Sequence, residues 1–171
     1  MKTIFKNKAC PQSLKHGFCR RGFMAVEILV AASIITVSVL AATAVAQKAV
    51  YISRQSLHVT QASFILEEGA EAVRILRDNA WTNISSLTAG INYYPTFAGG
   101  TWTLSSTPNT VGIFTRTVSI ANVNRDNTTQ DISATGTNDP GTKLVTVTVS
   151  WLEGGVTINK VLQFYIIDIF S

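Results

Sequence analysis

Cysteine is nearly missing from this sequence: of 171 residues only Cys10 and Cys19 are cysteine, and both fall in the first 22 positions. Two thiols are too few for a disulfide scaffold. Charge is scarce as well, at 14% of residues against 46% apolar. A disordered chain needs the opposite balance. With four prolines and eleven glycines, the chain is neither collagen-like nor a linker. Histidine is limited to His16 and His58, so the segment after residue 22 holds one imidazole and no thiol. No Ser-His-Asp set, metal-ligand histidine pair or glycine-rich phosphate loop can be assembled from those spacings. His58 reads as a solvated helix residue, and the sequence gives no ground for an enzyme. The length suits one domain with an appendage.

The formal charge of +4 and the isoelectric point near 9.3 would ordinarily raise nucleic acid as a partner. The placement of the charges removes that reading. Lys2, Lys6, Lys8, Lys15, Arg20 and Arg21 give residues 1–22 six basic groups and no acid. The remainder has eight Lys/Arg and ten Asp/Glu, a formal −2, with no adjacent pair of basic residues. No nucleic-acid partner is expected.

An uncharged run of twenty residues follows the basic head, over 28–47. Twenty helical residues at ~1.5 Å each match a hydrocarbon core of ~30 Å. Basic groups before the run, with only Lys48 and Arg54 soon after it, predict an N-terminus in the cytoplasm and a body on the far side of the membrane. A core helix of a soluble domain would be less uniformly apolar. Ser38, Ala42 and Ala46 form a small-residue ridge suited to close helix contact, although such residues are also ordinary anchor composition.

The junction Arg20-Arg21-Gly22-Phe23-Met24-Ala25-Val26-Glu27 combines paired bases, a glycine, an aromatic and one acid at the edge of the apolar run. An acid in such a helix usually marks function. The junction resembles the prepilin signature of type IV pilins and type II secretion pseudopilins. The resemblance is specific over residues 20–50 and architectural beyond. It implies cleavage after Gly22 by a prepilin peptidase and N-methylation of the new terminus, Phe23. It also implies that Glu27 is the acid that neutralises a subunit's N-terminus during filament assembly. Met24 and Ala25 depart from the Thr and Leu often found there and leave the cut site intact. The partners implied are the peptidase, other pilin or pseudopilin subunits in a helical filament, an inner-membrane assembly platform and the lipid bilayer. The implied location is the cytoplasmic membrane, crossed once, followed by a periplasmic or extracellular filament. Many major pilins carry a proline in the membrane half of the helix and a disulfide near the C-terminus. Neither feature is present after residue 22, which favours a pseudopilin or minor pilin.

A different class of protein shares part of this pattern. Ala44-Val45-Ala46 before Gln47 resembles a signal-peptidase site. A cut there, or an uncleaved anchor, would make the chain an exported or membrane-anchored β-domain for binding or adhesion. Glu27 inside the apolar region and the length of that region argue against a signal peptide.

Beyond the run, residues 49–80 contain no proline. Ala62, Leu66, Gly69, Val73, Leu76 and Ala80 fall on one helical face, and Glu67, Glu71, Arg74 and Asp78 on another. The expected organisation is a leader at 1–22, a membrane or filament-core helix half at 23–50, an amphipathic half at 51–80 and a β-rich head at 81–171. Residues 81–100 read as a loop because of Gly90, Pro95, Gly99 and Gly100. Strands are expected over 101–106, 111–123, 143–152 and 156–169. Arg116 interrupts the apolar face of the second, and Glu153-Gly154-Gly155 forms a hairpin turn before the last. The fold class is therefore α+β, a long N-terminal helix packed on an antiparallel sheet of about four strands, in the pilin-like manner.

Residues 124–141 are polar and turn-rich. Asp126, Asn127, Asp131, Asn138 and Asp139 place oxygen ligands there. Asp126, Asp131 and Asp139 are the calcium candidates, since oxygen-rich loops suit that ion and some major pseudopilins bind it in their β-region. The spacing matches no EF-hand, and a solvated polar loop is the plainer account. No other cofactor or metal is expected.

Overall fold

The computed structural model describes residues 21–170, with side chains from Met24 onward. Most of the basic leader expected at 1–22 therefore lies outside the described residues.

The first element is α1, a single helix over Arg21–Asn79. No proline breaks it, and between Gly22 and Gly69 there is no glycine. The chain divides into two compact units, one ending at Tyr51 and the other beginning at Ile52. In the first unit α1 is exposed throughout its described length. In the second unit, Ala62, Leu66, Gly69, Val73 and Leu76 are buried, while Glu67, Glu71, Arg74 and Asp78 face solvent. The helix ends where the Asn83 side-chain amide donates to the Leu76 carbonyl at 3.0 Å, satisfying a terminal acceptor. A one-turn helix, α2 (Thr82–Ser85), follows and buries Ile84.

The rest of the second unit is β-structure. The strands are β1 (Asn92–Ala98), β2 (Thr101–Ser105), β3 (Thr110–Val111), β4 (Phe114–Arg125), β5 (Ile132–Ser133), β6 (Thr137–Glu153) and β7 (Val156–Ile167). All pairings are antiparallel, in the order β2-β1-β4-β6-β7, with β3 and β5 on β4. Strict alternation puts Phe114, Val118 and Ile120 of β4 and Val145, Val147, Val149 and Trp151 of β6 on one buried face. Val118 pairs with Val147 and Ile120 with Val145, so their side chains stand together beneath the helix. Each such valine or isoleucine contributes roughly 1.5–3 kcal/mol when fully buried.

The α+β class holds, but the sheet has seven strands rather than about four. Three reasons account for the difference. The glycines that suggest a loop at 81–100 instead form a turn. Gly99 and Gly100 have φ of 61° and 81°, and they close a two-residue hairpin in which Ala98 opposes Thr101. Pro95 is tolerated because β1 meets β4 only through Asn92 and Tyr93 and then diverges to pair with β2. β3 and β5 are two residues each, too short to show alternation. In addition, β4 and β6 run on into the polar segment, pairing Asn124 with Asn138 and Arg125 with Thr137. Their register shifts between Asn122 and Val123, as in a β-bulge. The expected turn at 153–155 is present: Glu153 opposes Val156 across Gly154 and Gly155, whose φ values are 57° and 84°.

Candidate functional site

The junction expected to be processed falls at the start of α1. Gly22 and Phe23 belong to its first turn, and the Phe23 side chain lies outside the described residues. Glu27 is one helical turn beyond Phe23, is exposed, and has no hydrogen bond or ion pair among the described residues. Position i+4 puts it on the same helix face as Phe23.

The run at 28–47 is apolar and uncovered. From Met24 to Ile52 the large apolar side chains point outward on all sides, with Leu29 71% and Val45 70% exposed. Its four hydroxyls bond to the helix's own carbonyls: Ser33 donates to Val30 (2.7 Å), Thr36 to Ala32 (2.7 Å), Ser38 to Ile34 (2.8 Å) and Thr43 to Leu40 (2.9 Å). Backbone acceptors thus satisfy the polar groups that hydrocarbon would leave unpaired. The stretch Met24–Asn79 contains one segment long and apolar enough to cross a membrane, and that segment has no covering inside the protein.

In the second unit, Arg116 and His58 join the helix to the sheet. Arg116 is 4% exposed and occupies the inner-face position where alternation calls for an apolar residue. Its Nη1 pairs with Glu68 at 2.8 Å, its Nη2 donates to the Pro95 carbonyl at 3.3 Å, and its guanidinium stacks 5.3 Å from the Trp102 ring centre. One side chain thereby ties α1, β1 and β2 together. Gly69 makes room for it. A Cβ at that position would lie 2.8 Å from Val147 Cγ1 and 3.0 Å from Arg116 Cδ. The Arg116 interruption is visible in the sequence, but its partners come from 21 to 51 residues away and no local pattern announces them.

His58 differs from the solvated residue expected. Its Nδ1 is buried without a hydrogen-bond partner, 3.7 Å from Glu153 Oε1, and its ring meets Phe114 edge-on at 6.3 Å. Glu153 is held at its other oxygen by the Trp151 indole N–H, at 3.1 Å. The contact fastens the β6–β7 turn to the helix.

The calcium candidates are not brought together. Asp126 caps its own turn, accepting the backbone N–H of Thr128 (2.7 Å) and Thr129 (3.0 Å), and those bonds lower its pKa. Asp139 accepts from Thr142 Oγ1 (2.7 Å) and Arg125 Nε (2.6 Å), which hold its pKa below the usual carboxylate range. Asp131 joins the same turn through its main chain, its carbonyl accepting from the Asp126 N–H at 2.9 Å. Among the described residues, no three His, Cys, Asp or Glu side chains could hold a metal ion. Of the three, Asp139 has both carboxylate oxygens engaged, by Gly141, Thr142 and Arg125.

These features make an apolar, externally bare helix with one acid at its start, continuous in sequence with a sheet-backed body. Comparison with protein-family models, curated proteins and solved structures finds no match to this chain.

Proposed function

We propose that this chain is a structural subunit of a type IV pilus-like or type II secretion filament, a pseudopilin or minor pilin made as a prepilin. The observation that carries the reading is the junction Gly22-Phe23 with Glu27 four residues on, opening a helix whose next twenty residues carry no charge. The α+β body, with the helix packed on an antiparallel sheet, is consistent with a pilin-like fold.

The chemistry follows from the charges. Cleavage after Gly22 removes six basic groups and leaves an ammonium on Phe23 at a helix N-terminus. The helix dipole already favours an anion there. When apolar helices pack and exclude water, an unpaired charge costs several kcal/mol. Glu27 of one subunit neutralises the Phe23 amine of the next and so sets axial register. Loss of the leader also removes the cationic hold on the anionic inner leaflet, which eases extraction into a filament.

Intact-mass analysis of the membrane-extracted protein tests the proposal. A mass beginning at Phe23 with one added methyl group is expected. A chain beginning at Gln47 would instead assign an exported β-domain, and one retaining Met1 an uncleaved anchor. Either result overturns the filament reading.

A further inference from the structure

The contact between His58 and Glu153 is unfinished chemistry. His58 Nδ1 is buried without a hydrogen bond and lies 3.7 Å from Glu153 Oε1, beyond hydrogen-bond reach. The two side chains are 28% and 9% exposed. Glu153 ends β6, and its Oε2 accepts from the Trp151 indole N–H at 3.1 Å. A carboxylate this buried is poorly served by one neutral donor, because an unpaired buried charge is costly. Neutral imidazole does not complete the pairing. If Nδ1 carries its lone pair, that lone pair faces the carboxylate; if it carries the proton, the distance is too long for a bond. A second proton on the ring supplies both a donor and a full positive charge.

The surroundings leave this pair to itself. Arg54 lies one turn earlier on the same face of α1 but is exposed, so water and salt screen its repulsion. On the sheet side, residues 101–115 and 154–159 carry no charge. Arg116 of β4 is paired with Glu68, ten residues further along the helix than His58. Lys160 of β7 opposes Val149, while Glu153 opposes Val156. The rings of Phe114 and Trp151 pack next to the contact, with Phe114 edge-on to His58 at 6.3 Å and to Trp151 at 5.5 Å. Opposite charges among such groups are screened less than at the surface.

The turn has room to move. Glu153 is followed by Gly154 and Gly155, both at positive φ and both with open space where a Cβ would stand. A shift of about 1 Å brings the carboxylate within charge-assisted hydrogen-bond range of Nδ1.

We propose that His58 and Glu153 form a pH-dependent clasp between α1 and the β6–β7 turn, closed when the imidazole is protonated and loose when it is neutral. Ordinary imidazole and carboxyl groups titrate near ~6.5 and ~4.3, which places the closed state between about pH 5 and 6 and the loose state above about pH 7.5. The stability that the clasp contributes is present on the acid side and is lost as the imidazole gives up its proton. His58 and Phe114 also line an apolar groove of about 590 Å³ between α1 and the β3–β4 turn, so one wall of that groove moves with the clasp. The device belongs to the body and does not depend on the filament reading.

A double-mutant cycle in the full chain tests the clasp. His58→Phe keeps a ring against Phe114, and Glu153→Gln keeps an acceptor for Trp151. Denaturant unfolding of the four proteins in nonionic detergent is followed at about pH 5.5 and about pH 8. The coupling between the two sites should be roughly fivefold or more in the folding equilibrium constant at the lower pH and below about twofold at the higher. Groups titrating elsewhere cancel, because all four proteins share them. Equal coupling at both pH values, large or absent, would overturn the proposal. Hydrogen exchange in the unaltered chain gives a reading that does not depend on the variants folding. Protection of the Val156 amide, corrected for the intrinsic rate, should rise by about threefold or more from the higher pH to the lower. Thr101, the matching position after Gly99-Gly100, should show no such rise. A rise at both turns, or at neither, refutes the clasp.

Discussion

Arg116 shows how one side chain can bind elements that no short-range pattern connects. Its guanidinium is almost fully buried, whereas the Glu68 carboxylate beside it is about half exposed. Removing Glu68 therefore leaves a buried charge with only carbonyl and aromatic neighbours. We expect Glu68→Ala to lower unfolding stability by about 2 kcal/mol, between the values of exposed and buried pairs. The same change in an Arg116→Met background should cost less than about 0.5 kcal/mol, because the coupling is gone. Denaturant melts of the four combinations measure this. Gly69→Ala should cost about 1–3 kcal/mol by overpacking against Val147 and Arg116. Asp139 gives a pH signature. Its folded pKa lies below the ordinary 3.8, through Thr142 and Arg125. The stability it contributes is present above the unfolded pKa and is lost as pH falls through and below that value. Melting temperature should accordingly not fall from pH 7 to about 5 and should drop below about 4, with part of the drop absent in Asp139→Asn.

At the scale of elements, legibility depended on whether a signal was local. The alternation of Val145, Val147, Val149 and Trp151 announces β6, and the 4-and-3 spacing from Ala62 to Leu76 announces the buried helix face. Gly154-Gly155 announces its hairpin because alternating strands flank it on both sides. Gly99-Gly100 makes the same turn, yet only the flank after it, Thr101-Trp102-Thr103-Leu104, alternates, and Tyr94-Pro95-Thr96-Phe97 before it does not. β1 and β2 bury little there, since β1 leaves β4 after two pairs. The glycine pair alone therefore reads as loop. The Gly22-Phe23-Glu27 pattern is purely local, whereas the partners of Arg116 and His58 are tertiary. Gly155→Val is a direct check on the turn. At φ 84° a branched residue is strained, and a loss of about 1–2 kcal/mol is expected by thermal or denaturant unfolding.

For the whole molecule, the proposal separates membrane insertion from filament entry. Gly22→Leu should block processing and keep a full-length, unmethylated precursor in the membrane fraction, as mass spectrometry of that fraction would show. Glu27→Val should be processed and should still insert, since it removes the acid nearest the apolar run. It should be missing from sheared filaments, because the Phe23 amine of the neighbouring subunit then has no counter-charge. Recovery of Glu27→Val in filaments at the normal level would exclude the neutralising role.

The sheet order has a consequence for timing. β6 lies between β4 and β7, and its inner valines form the floor on which the helix rests. As the ribosome makes the chain, α1 is complete long before β6 exists. Its buried face at Ala62, Leu66, Val73 and Leu76 then has nothing to pack against. The β6–β7 hairpin, like β1–β2, closes through a two-residue turn at little loop-entropy cost. The strand between β4 and β7 is therefore among the last segments made, and the platform under the helix is complete only when it has joined β4. Until β6 has emerged, the buried face of the helix lacks the valine half of its floor.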